Sequence, residues 1–150
     1  MTSLQFLGAT GTVTGSRFLV RTERATVLVD AGRYPRQAAE SLADQGVRRL
    51  EAVIASHADE DHIGGMAQVL ESSAVKRLLV PARMTAEEEA VPLLRTARRR
   101  SVAVVPVAAG SVVHAGTLRL EVLWPPARNP PRDDNERSLV LLADLGPGAV

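Results

Sequence analysis

Residues 50 to 65 read LEAVIASHADEDHIGG, and this junction limits the fold more than any other stretch of the chain. LEAVIA is a short apolar run of strand length, and such a run is stable only when covered. The polar run that follows carries His57, Asp59, Asp61 and His62 within six consecutive positions, with Glu60 among them. Two glycines and the apolar MAQVL come next, which reads as the start of a helix over 63 to 72. A buried strand that ends in a charged loop and turns into a helix is one repeat of an α/β layered domain.

The flanking sequence extends that pattern. SLQFL (3 to 7) predicts a first strand and GATGTVTGS a glycine-rich loop, while RFLVRT and ATVLVDAG form a hairpin about ERA. PRQAAESLADQG has a proline start, a glycine stop and Ala38, Ala39, Leu42 and Ala43 at helical spacing. RLLVP is another strand. TAEEEAVPLLRTARRR predicts a helix capped by Thr85 and Glu88, with arginines in its last turn and a kink or break at Pro92. VAVVPV, SVVHAGTLRLEVLWP (turning at Ala115-Gly116) and SLVLLADL are strands, separated by the proline-rich loop PPARNPPRDDNER. The sum is an α/β domain with a mixed sheet and helices packed outside. GPGAV reads as a turn opening a further strand.

Composition removes several function classes. The 18 Lys and Arg nearly balance 17 Asp and Glu, so net charge gives no argument for nucleic-acid binding. There is no cysteine, which excludes disulfides and thiolate zinc sites and leaves nitrogen and oxygen to hold any metal. No apolar run approaches the roughly 18 residues needed for a membrane span. The N-terminus lacks a signal-peptide pattern, so the chain as given is expected to be soluble and cytoplasmic, an inference that fails if it belongs to a larger protein. Aromatic residues are scarce, which argues against a base-stacking platform.

Two of the three histidines fall inside the cluster, spaced around Asp59 and Asp61. In extended backbone His57 and Asp59 share a face, and Asp61 and His62 lie where the helix begins. Two aspartates this close repel each other unless a cation lies between them. One divalent ion relieves the conflict; two relieve it better, one on His57 and Asp59 and one on Asp61 and His62. The competing reading is a solvated loop of charged residues, and it must explain why both histidines follow a buried strand directly.

The motif resembles the signature of the metallo-β-lactamase fold, His-x-His-x-Asp-His after a strand, with Asp59 in place of the second histidine. In that His-x-Asp-x-Asp-His form it is similar to the C-terminal domain of the ComEC-type competence proteins, which take up DNA. TVLVDAG, LEAVIASHADEDHIGG, LRLEVLWPP and DNERSLVLLADLG occur in the order of those domains, so this likeness covers residues 26 to 150. Residues 4 to 32, with the GA and VTGS elements, look like the β-CASP branch of RNA- and DNA-processing nucleases. The resemblance implies a metallo-β-lactamase-like αββα layered sandwich and a metal-dependent phosphodiesterase or nuclease acting on DNA or RNA. It implies His57, Asp59, Asp61 and His62 as metal ligands, Asp61 also orienting the attacking water, and Asp30 ordering the metal loop by hydrogen bonds. Asn135 and Ser138 stand where a middle ligand is expected and would contribute weakly. A carboxylate at Asp59 shifts preference toward manganese or magnesium without excluding zinc, so zinc or manganese is expected, with two ions in a complete domain. The later bridging aspartate and last histidine of the fold find no counterpart before Val150. The chain is therefore expected to be a C-terminally truncated single domain, weak or inactive by itself. The alternative is a nucleic-acid- or partner-binding module that keeps the fold without the chemistry.

Other signals carry less. GATGTVTG is followed by a strand pattern, whereas a nicotinamide-binding loop must open a helix, so no nicotinamide cofactor is expected. Arg95, Arg98, Arg99 and Arg100 read as a solvated face complementing the helix dipole, with phosphate contact as the alternative. His114 reads as structural and Trp124 as a strand end capping the core. Gly64 and Gly65 read equally as ordinary turn glycines or as places of close backbone approach.

Overall fold

The computed structural model describes residues 3–10, 14–133 and 136–144. Asn135, the tip of the glycine-rich loop and the terminal GPGAV lie outside the described residues. Six strands form one mixed sheet in the order β1 (Ser3–Thr10), β2 (Thr14–Arg21), β3 (Thr26–Val29), β5 (Ala52–Ile54), β7 (Arg77–Pro81), β8 (Ala103–Val107). The first two pairings are antiparallel hairpin contacts and the last three are parallel. Parallel neighbours need crossovers, and α1 (Gln37–Asp44), α2 (Glu60–Ile63) with α3 (Met66–Ser72), and α4 (Val91–Arg99) supply them. β9 (Val112–Ala115), β10 (Leu118–Trp124) and β11 (Val140–Asp144) form a second, antiparallel sheet. A short parallel ladder joins β4 (Arg49–Leu50) to β6 (Ala74–Val75).

Alternation along the central strands divides the interior into two cores. Leu28, Val53 and Leu78, paired across β3, β5 and β7, face the helices and pack with Leu42, Leu70, Leu93 and Ala97. Val27, Ile54 and Leu79 point the other way, against Val113, Leu118, Leu120 and Val122 of the second sheet. Both faces of β5 are thus covered, which is why its sequence is apolar without a break. Each fully buried Leu or Ile contributes about 1.5–3 kcal/mol. The described residues build three layers, helix, sheet and sheet, of the αββα sandwich the sequence suggests.

Several boundaries differ from the sequence reading. The first hairpin consumes most of the glycine-rich loop, with β1 reaching Thr10 and β2 starting at Thr14. The helix expected over 63 to 72 begins at Glu60 and breaks at Gly64-Gly65. The Thr85–Glu88 capping box does not form. Thr85 instead donates its hydroxyl to the Ala82 carbonyl inside a 3-10 turn at Ala82–Ala86, and a second such turn covers Glu88–Ala90. Pro92 sits in the first turn of α4 rather than in a kink, because there its missing N–H has no partner to lose. The hairpin after β9 turns at Gly116-Thr117, with Gly116 at φ 60. Trp124 does not cap the core: it is 40% exposed and donates its indole N–H to the Glu136 carbonyl.

Candidate metal centre

The carboxyl ends of β3, β5, β7 and β8 meet at one edge of the large sheet, where α/β folds collect ligands. Asp30 follows β3 in the left-handed region at φ 58, a conformation aspartate tolerates better than most residues. The turn aims its carboxylate at the loop after β5. Its Oδ1 accepts the Ser56 backbone N–H at 2.8 Å, and its Oδ2 accepts the Ser56 hydroxyl at 2.7 Å. His62 Nδ1 lies 2.8 Å from the same Oδ2. Asp30 is 5% exposed, and these contacts offset its burial.

The network assigns the imidazole tautomers. Ser56 has one hydroxyl proton, and it lies on Asp30. The 3.0 Å contact between Ser56 Oγ and His57 Nδ1 therefore takes its proton from the ring. His62 Nδ1 likewise donates to Asp30. In the neutral form of each ring Nε2 is then the bare nitrogen, the atom a metal needs once the competing proton has left. The ring centroids are 3.9 Å apart.

His57, Asp61 and His62 each offer one donor atom, all within 4.8 Å of one another. Two neutral imidazoles and a carboxylate suit a divalent ion of the zinc or manganese class, so the donor set fits the metal that the sequence implies. Asp59 stands outside this group of three. It precedes α2 in extended conformation, and its carboxylate, 46% exposed, reaches His57 Nε2 at 3.3 Å. An aspartate before a helix usually accepts an N–H from the first turn; Asp59 makes no such bond. The grouping thus differs from two separate pairs, since both histidines and Asp61 share one focus. Asp61 Oδ2 lies 3.7 Å from His62 Nε2.

Electrostatics favour a charged centre. Burial pulls the pKa of His62 down, but the hydrogen bond and charge of Asp30, with Asp61 and Asp59 adding, raise it above the ordinary value. The loop is clamped by backbone. Ala31 N–H donates to the His62 carbonyl at 2.8 Å and Gly65 N–H to the Gly32 carbonyl at 3.0 Å. A Cβ on Gly64 would lie 2.1 Å from the Arg33 carbonyl oxygen, and one on Gly65 would lie 2.6 Å from that of Ala31. Both glycines are therefore places of close backbone approach.

Ser138 Oγ lies 3.2 Å from His57 Nδ1, and the neighbouring Leu139 N–H donates to the Ser56 carbonyl at 2.9 Å. Ser56 itself escaped sequence reasoning; the available signal was a hydroxyl directly before the first histidine at a strand end. A narrow cleft of about 30 Å³ opens beside His57 and Asp59, walled by Pro81, Met84, Val107 and the prolines of the 125–130 loop. His114 is on the exposed face of β9, away from the cluster.

Known proteins share this fold. The Metallo-beta-lactamase superfamily matches over residues 10–147. ComE operon protein 3 of Bacillus subtilis (strain 168) is 37% identical over 105 residues, which cover 70% of this chain and 13% of that protein. The metallo-beta-lactamase fold protein YhfI from Bacillus subtilis superposes with a TM-score of 0.64 at 14% identity, over 98% of this chain and 60% of YhfI. MEM-A1, a subclass B3 metallo-beta-lactamase isolated from a soil metagenome library, gives a TM-score of 0.61 at 20% identity, over 81% of this chain and 49% of MEM-A1. At these identities the two structures speak for the fold alone, and the chain spans only part of each relative. With a profile match over nearly its whole length, the chain belongs to the metallo-beta-lactamase superfamily.

Proposed function

We propose that the chain is a metal-dependent hydrolase domain that acts on phosphodiester bonds of DNA or RNA, with zinc or manganese as its ion. The observation that carries the reading is the convergence of His57, Asp61 and His62, both rings held through Nδ1 by Ser56 and Asp30 so that each Nε2 faces a carboxylate of the metal loop. A divalent ion held by these three residues would supply Lewis acidity and lower the pKa of a bound water toward neutrality. Asp61, one of the three convergent donors, would also orient the attacking water and take its proton. Asp59 adds a fourth donor from the cleft side, and Asp30, Ser56 and Ser138 hold the two rings in place. Three convergent donors and one outlying carboxylate make a weak site, so slow turnover is expected of this chain alone. Nucleic acid as substrate is supported by the likeness of residues 26 to 150 to competence proteins and of residues 4 to 32 to β-CASP nucleases.

The test is hydrolysis of bis(p-nitrophenyl) phosphate and of labelled single-stranded DNA with added zinc or manganese. Asp61→Asn should lower the metal-dependent rate by about 10²–10⁴-fold, the range for a positioned proton acceptor. DNA binding with neither zinc nor manganese taken up by the His57–His62 loop would overturn the hydrolase reading in favour of a binding module.

A further inference from the structure

The chain's near-neutral charge conceals a segregated basic edge. Arg48, Arg49, Lys76, Arg98, Arg99 and Arg100 are all exposed and come from three separate segments. The β4–β6 ladder brings the first two segments together: Ala74 N–H donates to the Arg48 carbonyl at 2.9 Å and Lys76 N–H to the Leu50 carbonyl at 3.0 Å. The end of α4 completes the edge, and Arg49, Lys76 and Arg100 line one groove of about 490 Å³. Two carboxylates sit among them. Glu51 pairs with Lys76 at 3.7 Å, and Glu71 pairs with Arg99 and, at 3.8 Å, with Arg100. Six cations against two anions leave four positive charges. Among the described residues, Arg48, Arg49 and Arg98 make no ion pair.

A helix dipole explains arginines at the end of α4 but not Arg48, Arg49 or Lys76. Crowding of like charge in a chain of net charge +1 calls for an anionic partner. Five of the six cations are guanidinium groups, which match phosphate oxygens in bidentate fashion. None of the exposed large hydrophobic residues borders the groove, which argues against a membrane surface. No aromatic side chain lines it, so bases would not be read. Meanwhile Asp59, Glu87 and Glu89 gather with Arg137 beyond the opposite end of β5, three anions against one cation, so a polyanion would approach basic edge first.

We infer that the groove between β4, β6 and the end of α4 docks the phosphate backbone of a nucleic acid, without sequence preference and remote from the metal loop. The inference rests on the nucleic-acid half of the reading above and not on the metal half. Arg49 precedes β5 and His57 follows it, at most about 26 Å apart along the chain, so this edge would hold a part of the polymer that is not being cleaved.

The experiment measures anisotropy of a labelled 20-base-pair DNA with the whole chain in EDTA, between 50 and 200 mM NaCl. Four neutralised phosphates give a log–log salt slope of about −3.6, or about 150-fold weaker binding over that range. Arg48→Ala with Arg49→Ala should bring the slope to about −1.8, about 12-fold over the same range. Arg48→Lys with Arg49→Lys should keep the full slope, and both pairs should keep the unfolding temperature. Arg128→Ala with Arg132→Ala, on the proline-rich loop, should change nothing. An unchanged slope in the Arg48/Arg49 alanine variant, or an equal loss in the loop variant, overturns the proposal. So does displacement of the DNA by polyglutamate at equal charge, which would point to an acidic protein partner. Zinc titration of the alanine variant should match the unsubstituted chain, which separates failure here from failure of the metal site.

Discussion

Replacement of Asp30 separates the two jobs its carboxylate does. In Asp30→Ala the Ser56 N–H, the Ser56 hydroxyl and His62 Nδ1 lose their acceptor. Each unsatisfied buried donor costs about 1–3 kcal/mol, and some of that is recovered when His62 and Ser56 turn to solvent. A net loss of about 3 kcal/mol follows, and for a chain of this size that lowers the unfolding temperature by about 6–12 °C. Asp30→Asn behaves differently. Asparagine accepts the left-handed backbone and keeps an oxygen for the Ser56 N–H. Its amide N–H₂ then occupies the position of Oδ2, so His62 must accept at Nδ1 and carry its proton on Nε2. The fold should survive with a loss of about 1 kcal/mol. Metal affinity should fall by about 10- to 100-fold, as for loss of a partner that orients a ligand. Thermal unfolding in EDTA and calorimetric titration with zinc read the two effects separately. An Asp30→Asn chain that binds zinc as tightly as the unsubstituted chain refutes the tautomer argument.

Other outcomes follow from the same geometry. Gly64→Ala should cost about 3 kcal/mol or more, because the new Cβ meets the backbone of Arg33 and Glu60, which cannot yield as a side chain would. Gly46→Ala, with φ 69 and nothing within 4 Å, should cost only about 1 kcal/mol, and equal melting temperatures would refute the clamp. The raised pKa of His62 implies stability that is full below the unfolded value, about 6.5, and lost as pH rises through the folded value. In EDTA the gap in unfolding temperature between the unsubstituted chain and His62→Gln should therefore narrow from pH 5.5 to pH 8.5. Apparent zinc affinity should rise over the same interval as the competing proton leaves, and a gap that widens contradicts the Asp30 coupling.

The central strands were legible because their apolar runs have strand length and end in turn residues. What sequence could not supply was cover: the same apolar β5 fits a helix or a second sheet on either face, and only the register of Leu28, Val53 and Leu78 separates the two cores. The stretch from Thr85 to Arg100 misled because Thr and Glu three apart resemble a helix start, whereas the real start is Val91, six residues later, with Pro92 in the first turn. At the site, spacing along the chain singled out four donors, but it could not tell that Asp59 turns toward the cleft while Asp61 joins both histidines. Ser56 escaped because a serine at a strand end has many innocuous uses, and its role appears only when Asp30 arrives from a strand 26 positions away. The basic edge was half visible as the arginines of α4, and Arg48, Arg49 and Lys76 reach it only through the pairing of β4 with β6.

X-ray absorption at the zinc edge of the loaded chain tests the metal assignment most directly. The account predicts two imidazole ligands with Zn–N distances of about 2.0–2.1 Å, one of which disappears in His57→Ala. A spectrum with oxygen neighbours alone, unchanged by that substitution, would contradict it.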